Sequence, residues 1–332
     1  MEHSKENLGV QRWVVIIAIS LFILKLIAYY LTKSVAVLTD ALESTVNVIS
    51  GIIGWYSLYI AAKPKDEDHP YGHGKAEFLS AAVEGVLIMI ASCVIIYESA
   101  YHLIYPHPLE KLDQGLLLVG ISAVINFTMG FIALKMGKKN NSLALEASGR
   151  HLQSDTYSTL AIIAGLALIY LTGKQYIDSM VGFGMALFLG FIGYRITRRS
   201  IAGIMDEADE KILVRMVALL NQHRENNWID IHNFRVIKYG TVLHVDCHIT
   251  VPWYDTVRDS HATIERLTNL IEKEFGESME FFVHEDACTE SSCPICSKQE
   301  CPVRLHPFEK RIEWTLSNII KNQKHELPSA VR

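Results

Sequence analysis

Residues 35–62 read VAVLTDALESTVNVISGIIGWYSLYIAA. A helix of this length crosses the ~30 Å hydrocarbon core of a bilayer, which needs about 20 residues. The run nonetheless carries Asp40, Glu43 and Asn47. Glu43 and Asn47 are four residues apart, and Asp40 lies three residues before Glu43, so all three share nearly one helix face. An ionisable side chain inside a span is expensive and marks function by default. The competing reading is polar glue between helices, for which Ser, Thr and Asn suffice. Two carboxylates exceed that need, and a bound cation could neutralise both.

Five further apolar stretches surround this one, at 13–31, 78–104, 115–134, 152–171 and 176–204. Each reaches spanning length, so six transmembrane helices are expected. The first stretch is too long, and its start too weakly basic, for a cleaved signal peptide. Lys5 and Arg12, then Lys63, Lys65 and Lys75, then Lys135, Lys138, Lys139 and Arg150, then Arg195, Arg198 and Arg199 fall on one side of the spans. The other side carries Lys33, Lys111 and Lys174. The preference of Lys and Arg for the cytoplasmic side places both termini inside, with the cell membrane as the expected host.

The average composition describes neither half of the chain. Over 332 residues it is 50% hydrophobic and 20% charged, with net charge −5 and mean hydropathy +0.19. Such apolarity excludes a disordered chain, and the missing basic excess argues against a nucleic-acid partner. Six cysteines are too few for a disulfide scaffold. Residues 1–205 carry net +1 and 206–332 net −6. The expected domains are therefore a six-span unit over 1–205, a soluble α+β unit over 206–287 and a Cys-containing extension over 288–332. In the soluble unit, Lys211–His223 and Thr256–Phe275 have helical spacing. Ile231–Ile237, Val242–Val251 and Met279–Val283 read as strands, with Tyr239-Gly240 as a turn. The order αββαβ predicts a small sheet with helices on one face. Phe308–Lys321 reads as one further helix.

Two other groups carry ligand chemistry. His151 and Asp155 stand four residues apart in the fifth span, so an imidazole and a carboxylate share one helix face. That pair suits a borderline divalent metal such as Zn2+; the alternative is a helix-end pair near the headgroups. The loop after the second span contains Asp66, His69 and His73 at spacings of three and four, which a hydrated loop could also carry without meaning.

Three features together resemble the cation diffusion facilitator family of divalent-metal/proton antiporters. They are His151-x-x-x-Asp155, the loop Asp66-x-x-His69-Pro70-Tyr71-Gly72-His73-Gly74-Lys75-Ala76-Glu77, and Ser34-Val35-Ala36-Val37-Leu38 leading into the second span. The resemblance covers roughly residues 10–287. It implies a tetrahedral transport site of Glu43, Asn47, His151 and Asp155, a second site at Asp66, His69 and His73, and a metallochaperone-like cytoplasmic domain. That domain's ligands would be His232, His248, His261, His284 and Asp286, holding up to two ions at a homodimer interface; ordinary surface histidines are the alternative. His223 and His244 match no role. Lys75 and Asp206 match a charge pair at the family's dimer junction.

The transport site departs from the family pattern of Asp or His followed four residues later by Asp. Glu43 is longer by a methylene and Asn47 is neutral, so the site has one negative charge fewer, for which Asp40 is the candidate substitute. His151 favours Zn2+ over Mg2+ or Ca2+, with Fe2+, Co2+, Mn2+ and Cd2+ as alternatives. The metal is cargo and regulatory ligand, protons are the exchanged ion, and no organic cofactor is implied. Cys288-x4-Cys293-x2-Cys296-x4-Cys301 lies outside the family pattern; it fits a small zinc knuckle or a cluster site, or unligated or redox-active thiols. Cys93 is expected in span packing and Cys247 in the core. An enzyme is disfavoured: His284-Glu285 begins a His-Glu-x-x-His pattern, but Cys288 stands at its last position. A metal sensor would not need charged residues inside spans. A channel would need a continuous pore.

Overall fold

The computed structural model describes residues 2–105, 109–139, 143–239, 242–276 and 279–327. The chain divides into two compact units, Met1–Tyr59 with Leu79–Ile201, and Ile60–Phe78 with Ala202–Arg332. Six helices are long and apolar enough to cross a membrane: α1 (Glu2–Thr32), α2 (Val35–Ala61), α3 (Ala76–Ile104), α4 (Leu112–Lys139), α5 (Leu143–Thr172) and α6 (Tyr176–Ile204). Each expected span falls on one of them.

Helix α2 belongs to two of the apolar clusters of the membrane unit. Val35 packs with Ile95 of α3 and with Ala186 and Leu189 of α6. Ala36 and Val37 pack with Ala28 of α1, Val119 of α4, and Ile162, Leu166 and Ile169 of α5. Lipid-facing helices gain little from hydrophobic burial against each other, so close backbone approach matters more. Two glycine pairs supply it. A Cβ on Gly193 of α6 would lie 2.8 Å from the Gly85 carbonyl of α3, and one on Gly149 of α5 would lie 2.8 Å from the Gly130 carbonyl of α4. The start of α2 is fastened by Asp178 of α6. Its carboxylate accepts hydrogen bonds from Ser34 Oγ (2.6 Å), Val35 N (2.6 Å) and Ala36 N (3.3 Å). The first N–H groups of a helix lack intrahelical partners, and an anion there is favoured by the helix dipole. Cys93 is exposed on α3, not packed as expected.

The C-terminal unit has the order α7 (Glu210–Gln222), β1 (Asp230–Tyr239), β2 (Val242–Val251), α8 (Val257–Phe275), β3 (Met279–Ala287), which is the expected αββαβ. The sheet order is β1-β2-β3. The β1–β2 pair is antiparallel; the residues of the expected Tyr239-Gly240 turn lie partly outside the described set. Strands β2 and β3 are parallel, so the chain must cross back between them, and α8 is that crossover. Thr256 and Asp259 start α8 with a reciprocal capping box. Leu213, Met216, Val217 and Leu220 of α7 and Leu267 and Ile271 of α8 bury against Ile231, Val245, Cys247 and Ile249. Side chains alternate across a strand, so His232 and His248 lie on the sheet face opposite this core.

The extension beyond β3 is packed onto the unit. Trp314 and Ile319 enter the core, and Arg224 lies 3.7 Å from the centre of the Trp314 ring. The expected helix over Phe308–Lys321 is corrected: only Leu316–Ile319 (α9) is helical. Tertiary bonds occupy the backbone that a longer helix would need. Pro294 O accepts from Glu309 N and Lys310 N (2.8 and 3.1 Å). Ile312 O accepts from Arg224 (2.5 Å), and Asn221 both donates to Trp314 O (2.6 Å) and accepts from Trp314 N (3.1 Å).

Candidate metal centres

In the membrane unit, α2 supplies Glu43 and Asn47, and α5 supplies His151 and Asp155. All four line one cavity of about 190 Å³, together with Glu84 of α3. Asn47 Nδ2 donates to Asp155 Oδ2 at 3.3 Å, which leaves the Asn47 amide oxygen for other work. His151 Nε2 lies 3.8 Å from the same carboxylate oxygen. Glu43 Oε2 is buried without a hydrogen-bond partner, an exception that a native structure usually explains by function. Helix α5 begins at Leu143, two turns before His151, and its apolar window opens at Gly149.

Asp40 has a different environment. Its Oδ1 accepts from Lys25 Nζ of α1 at 2.8 Å and from Thr159 Oγ1 of α5 at 3.1 Å, and both charged side chains are almost fully buried. Lys25 already neutralises the carboxylate considered as a substitute for Asn47. Lys25 also lines a second cavity, of about 130 Å³, whose wall includes Asn47, His151 and Asp155. Sequence reasoning missed Lys25 and Glu84. The available signal was a lone charge inside an apolar run.

In the loop of the C-terminal unit, Asp66 Oδ1 lies 3.0 Å from His69 Nδ1, and Asp66 Oδ2 lies 3.3 Å from His73 Nε2. Ligand atoms of all three fall within 4.8 Å of one another. Desolvation opposes ionisation of Asp66, but hydrogen bonds from the His69 ring and N–H outweigh it and hold the carboxyl below its usual range. Nearby, Lys75 Nζ meets Asp206 Oδ2 at 2.9 Å, and Tyr71 packs against Tyr239 and His244.

On the open face of the sheet, strand register aligns His232 with His248 and His248 with His284. A bulge follows His232 in β1, where Asn233 adopts φ +49°, a left-handed conformation that Asn tolerates. Asn233 Nδ2 is 3.1 Å from His248 Nε2. Asp286 Oδ2 lies 3.4 Å from both His232 Nε2 and His248 Nδ1, yet makes no hydrogen bond. His232, His248 and Asp286 thus form a second cluster at ligand distance. The His284 ring packs tilted against His248, 4.6 Å between ring centres, and lies 3.9 Å from Asp286. His261, in contrast, is exposed on α8 beside Glu265, outside this cluster.

The cluster has backing that the sequence did not suggest. Asp230 lies 3.2 Å from His232 Nδ1 and 2.5 Å from His325 Nδ1 of the extension. Burial would raise the Asp230 carboxyl, but the hydrogen bonds from His232 and His325 hold it well below the usual range. An ionised carboxylate behind a histidine fixes its ring for metal binding. Desolvation, with repulsion from His232 and His284, pushes His248 down against the pull of Asp286. The neutral imidazole is the metal-binding form. Lys324 Nζ lies 3.6 Å from Asp286 Oδ1. The four tail cysteines Cys288, Cys293, Cys296 and Cys301 line one small cavity, and none is in a disulfide.

Comparison with known proteins decides the family. Residues 12–205 match the family model described as the cation efflux transmembrane domain, and residues 208–288 match the cation efflux protein cytoplasmic domain. The chain belongs to the cation diffusion facilitator family. Membership in the cation diffusion facilitators makes it a multi-pass membrane transporter of divalent cations rather than an enzyme. A Synechocystis protein described as an uncharacterized transporter is 32% identical over 248 residues, covering 75% of this chain and 80% of its own length. The cation-efflux pump FieF of Shewanella oneidensis is 25% identical over 81% of this chain and 90% of its own. The manganese efflux system protein MneP of Bacillus subtilis is 26% identical over 76% of this chain and 86% of its own.

Proposed function

We propose that this facilitator exports Zn2+ from the cytoplasm in exchange for protons, by alternating access of the site formed by Glu43, Asn47, His151 and Asp155. The observation that carries the reading is the convergence of these four side chains on one cavity between membrane helices. Charge balance supports it. Lys25 offsets Asp40, so Glu43 and Asp155 suffice to neutralise one dication, with Glu84 a third carboxylate on the cavity wall. His151 adds the nitrogen donor that Zn2+ prefers over the all-oxygen shell of Mg2+ or Ca2+.

Metal enters from the cytoplasm when the site is open inward. Rocking of the helices then exposes the site to the other side, where a proton on His151 or a carboxylate displaces the metal. Ligands bind metal only when deprotonated, so the two ions compete for the same atoms. An inward proton gradient then drives metal outward. Both termini face the cytoplasm, the host is the cell membrane, and the chain acts as a homodimer through its cytoplasmic domain. Metal at His232, His248 and Asp286, and at Asp66, His69 and His73, raises transport when cytoplasmic metal is high. A second reading, Mn2+ as cargo, rests on the oxygen-rich donor set and on the manganese-exporting relative.

The test is metal flux into proteoliposomes by Asp155→Ala. Flux reduced to that of empty liposomes supports the site, whereas flux equal to wild type defeats it.

A further inference from the structure

The family match ends at residue 288, so three of the four clustered cysteines lie beyond it. We propose that Cys288, Cys293, Cys296 and Cys301 form a four-thiolate Zn2+ site that fastens the C-terminal extension to the end of the sheet. This site is separate from the transport pathway and from the histidine clusters.

The four cysteines line a single cavity of about 20 Å³, close to the space of one water-sized sphere. Three parts of the fold deliver them. Cys288 follows directly on β3, and its N–H continues the ladder to Val251 O at 2.9 Å. Its Sγ accepts from Trp253 N at 3.4 Å. Cys293 and Cys296 are joined by a tight turn, closed by the Cys296 N–H on Cys293 O at 3.3 Å. The two-residue gap in Cys293-Pro294-Ile295-Cys296 is the spacing by which structural zinc sites take two ligands from one turn. Cys301 completes the wall after the turn.

The surrounding charges fit the loaded site. Four thiolates and one Zn2+ sum to −2, and the cavity is also lined by Arg304 and by Lys298, which Asp255 approaches at 3.9 Å. Arg304 additionally ties the loop together, donating to Cys293 O (3.1 Å), Cys296 O (3.1 Å) and Lys298 O (2.5 Å). Cys296 packs with Ile229 and Ile295, and Cys288 and Ile312 pack against them. A metal held there would therefore join β3, the turn and the extension. Among the described residues, the clusters already at mutual ligand distance are those at Asp66 and Asp286, so Zn2+ must draw the four sulfurs inward. Its uptake displaces the thiol protons into solvent.

The full-length protein in detergent, stripped of metal under reducing conditions and reloaded with Co2+, tests this directly. The expected result is the near-ultraviolet sulfur-to-cobalt charge-transfer band and intense visible bands of tetrahedral thiolate coordination, both lost in Cys293→Ser/Cys296→Ser. Their absence from the wild type, or their persistence in the variant, overturns the proposal. Because the variant could misfold, the wild type is also alkylated with and without Zn2+ and its peptides weighed. Zn2+ should protect all four cysteines, and a chelator should restore labelling. Equal labelling under both conditions overturns the proposal without recourse to any variant.

Discussion

Lys25→Met removes the cation from a pair enclosed by α1, α2 and α5. Lys25 and Asp40 are 2% and 1% exposed, and Asp40 Oδ2 already lacks a partner. The substitution leaves Asp40 with Thr159 alone. Loss of one partner from a buried ion pair costs about 3–5 kcal/mol, because the other charge stays desolvated. At 1.36 kcal/mol per decade, that is about two to four orders of magnitude in the folding equilibrium. Lys25→Met/Asp40→Asn removes both charges while keeping an acceptor for Thr159, so it should recover at least about 1 kcal/mol relative to the sum of the single variants. Reversible unfolding in mixed micelles measures all four proteins of the cycle. Metal flux by the double variant measures whether the pair is only a scaffold. Wild-type stability in Lys25→Met, or a double variant no better than additive, would refute the assignment of Asp40 to Lys25 and return it to the ligand set.

The other predictions concern the scaffold and the cytoplasmic domain. Gly193→Leu pushes a side chain into the Gly85 carbonyl; it should cost about 1–3 kcal/mol, read as a lower melting temperature in detergent, while the same change at Gly184, which faces open space, should not. Asp230→Asn removes the carboxylate behind His232 and should weaken Zn2+ binding at the sheet cluster by about 10–100-fold, measured by calorimetry on the full-length protein. Burial pushes His244 below its ordinary value against the pull of Glu280. The unfolded chain therefore binds its proton more readily, and domain stability should fall as pH drops below about 6.5, by at most about 1.4 kcal/mol per unit. Hydrogen exchange of β2 peptides at pH 7.5 and 5.5 should show this loss, with a shallower slope in His244→Gln.

The fold was legible where its cause is local. Apolar length marks a span whatever the span packs against, and the alternation read at 242–251 holds in β2 from Val245 to Ile249. Pairings between distant segments were not legible. Nothing around Lys25 announces that its partner stands on the next helix, and nothing around Asp178 announces the start of α2. His232, His248 and His284 were readable as ligand types, but their single row depends on a strand register and a bulge. Phe308–Lys321 has helical spacing, yet bonds to Arg224, Asn221 and Pro294 keep the part before Leu316 out of a helix. Propensity yields to tertiary bonds in that segment.

The transport claim is tested most directly by wild-type protein in proteoliposomes, with metal uptake and internal pH followed together across Zn2+, Mn2+, Fe2+, Co2+ and Cd2+. The expected result is Zn2+ uptake at the highest rate, with proton movement in the opposite direction that is absent without metal. Metal flux indifferent to pH, with no counter-movement of protons, would contradict it.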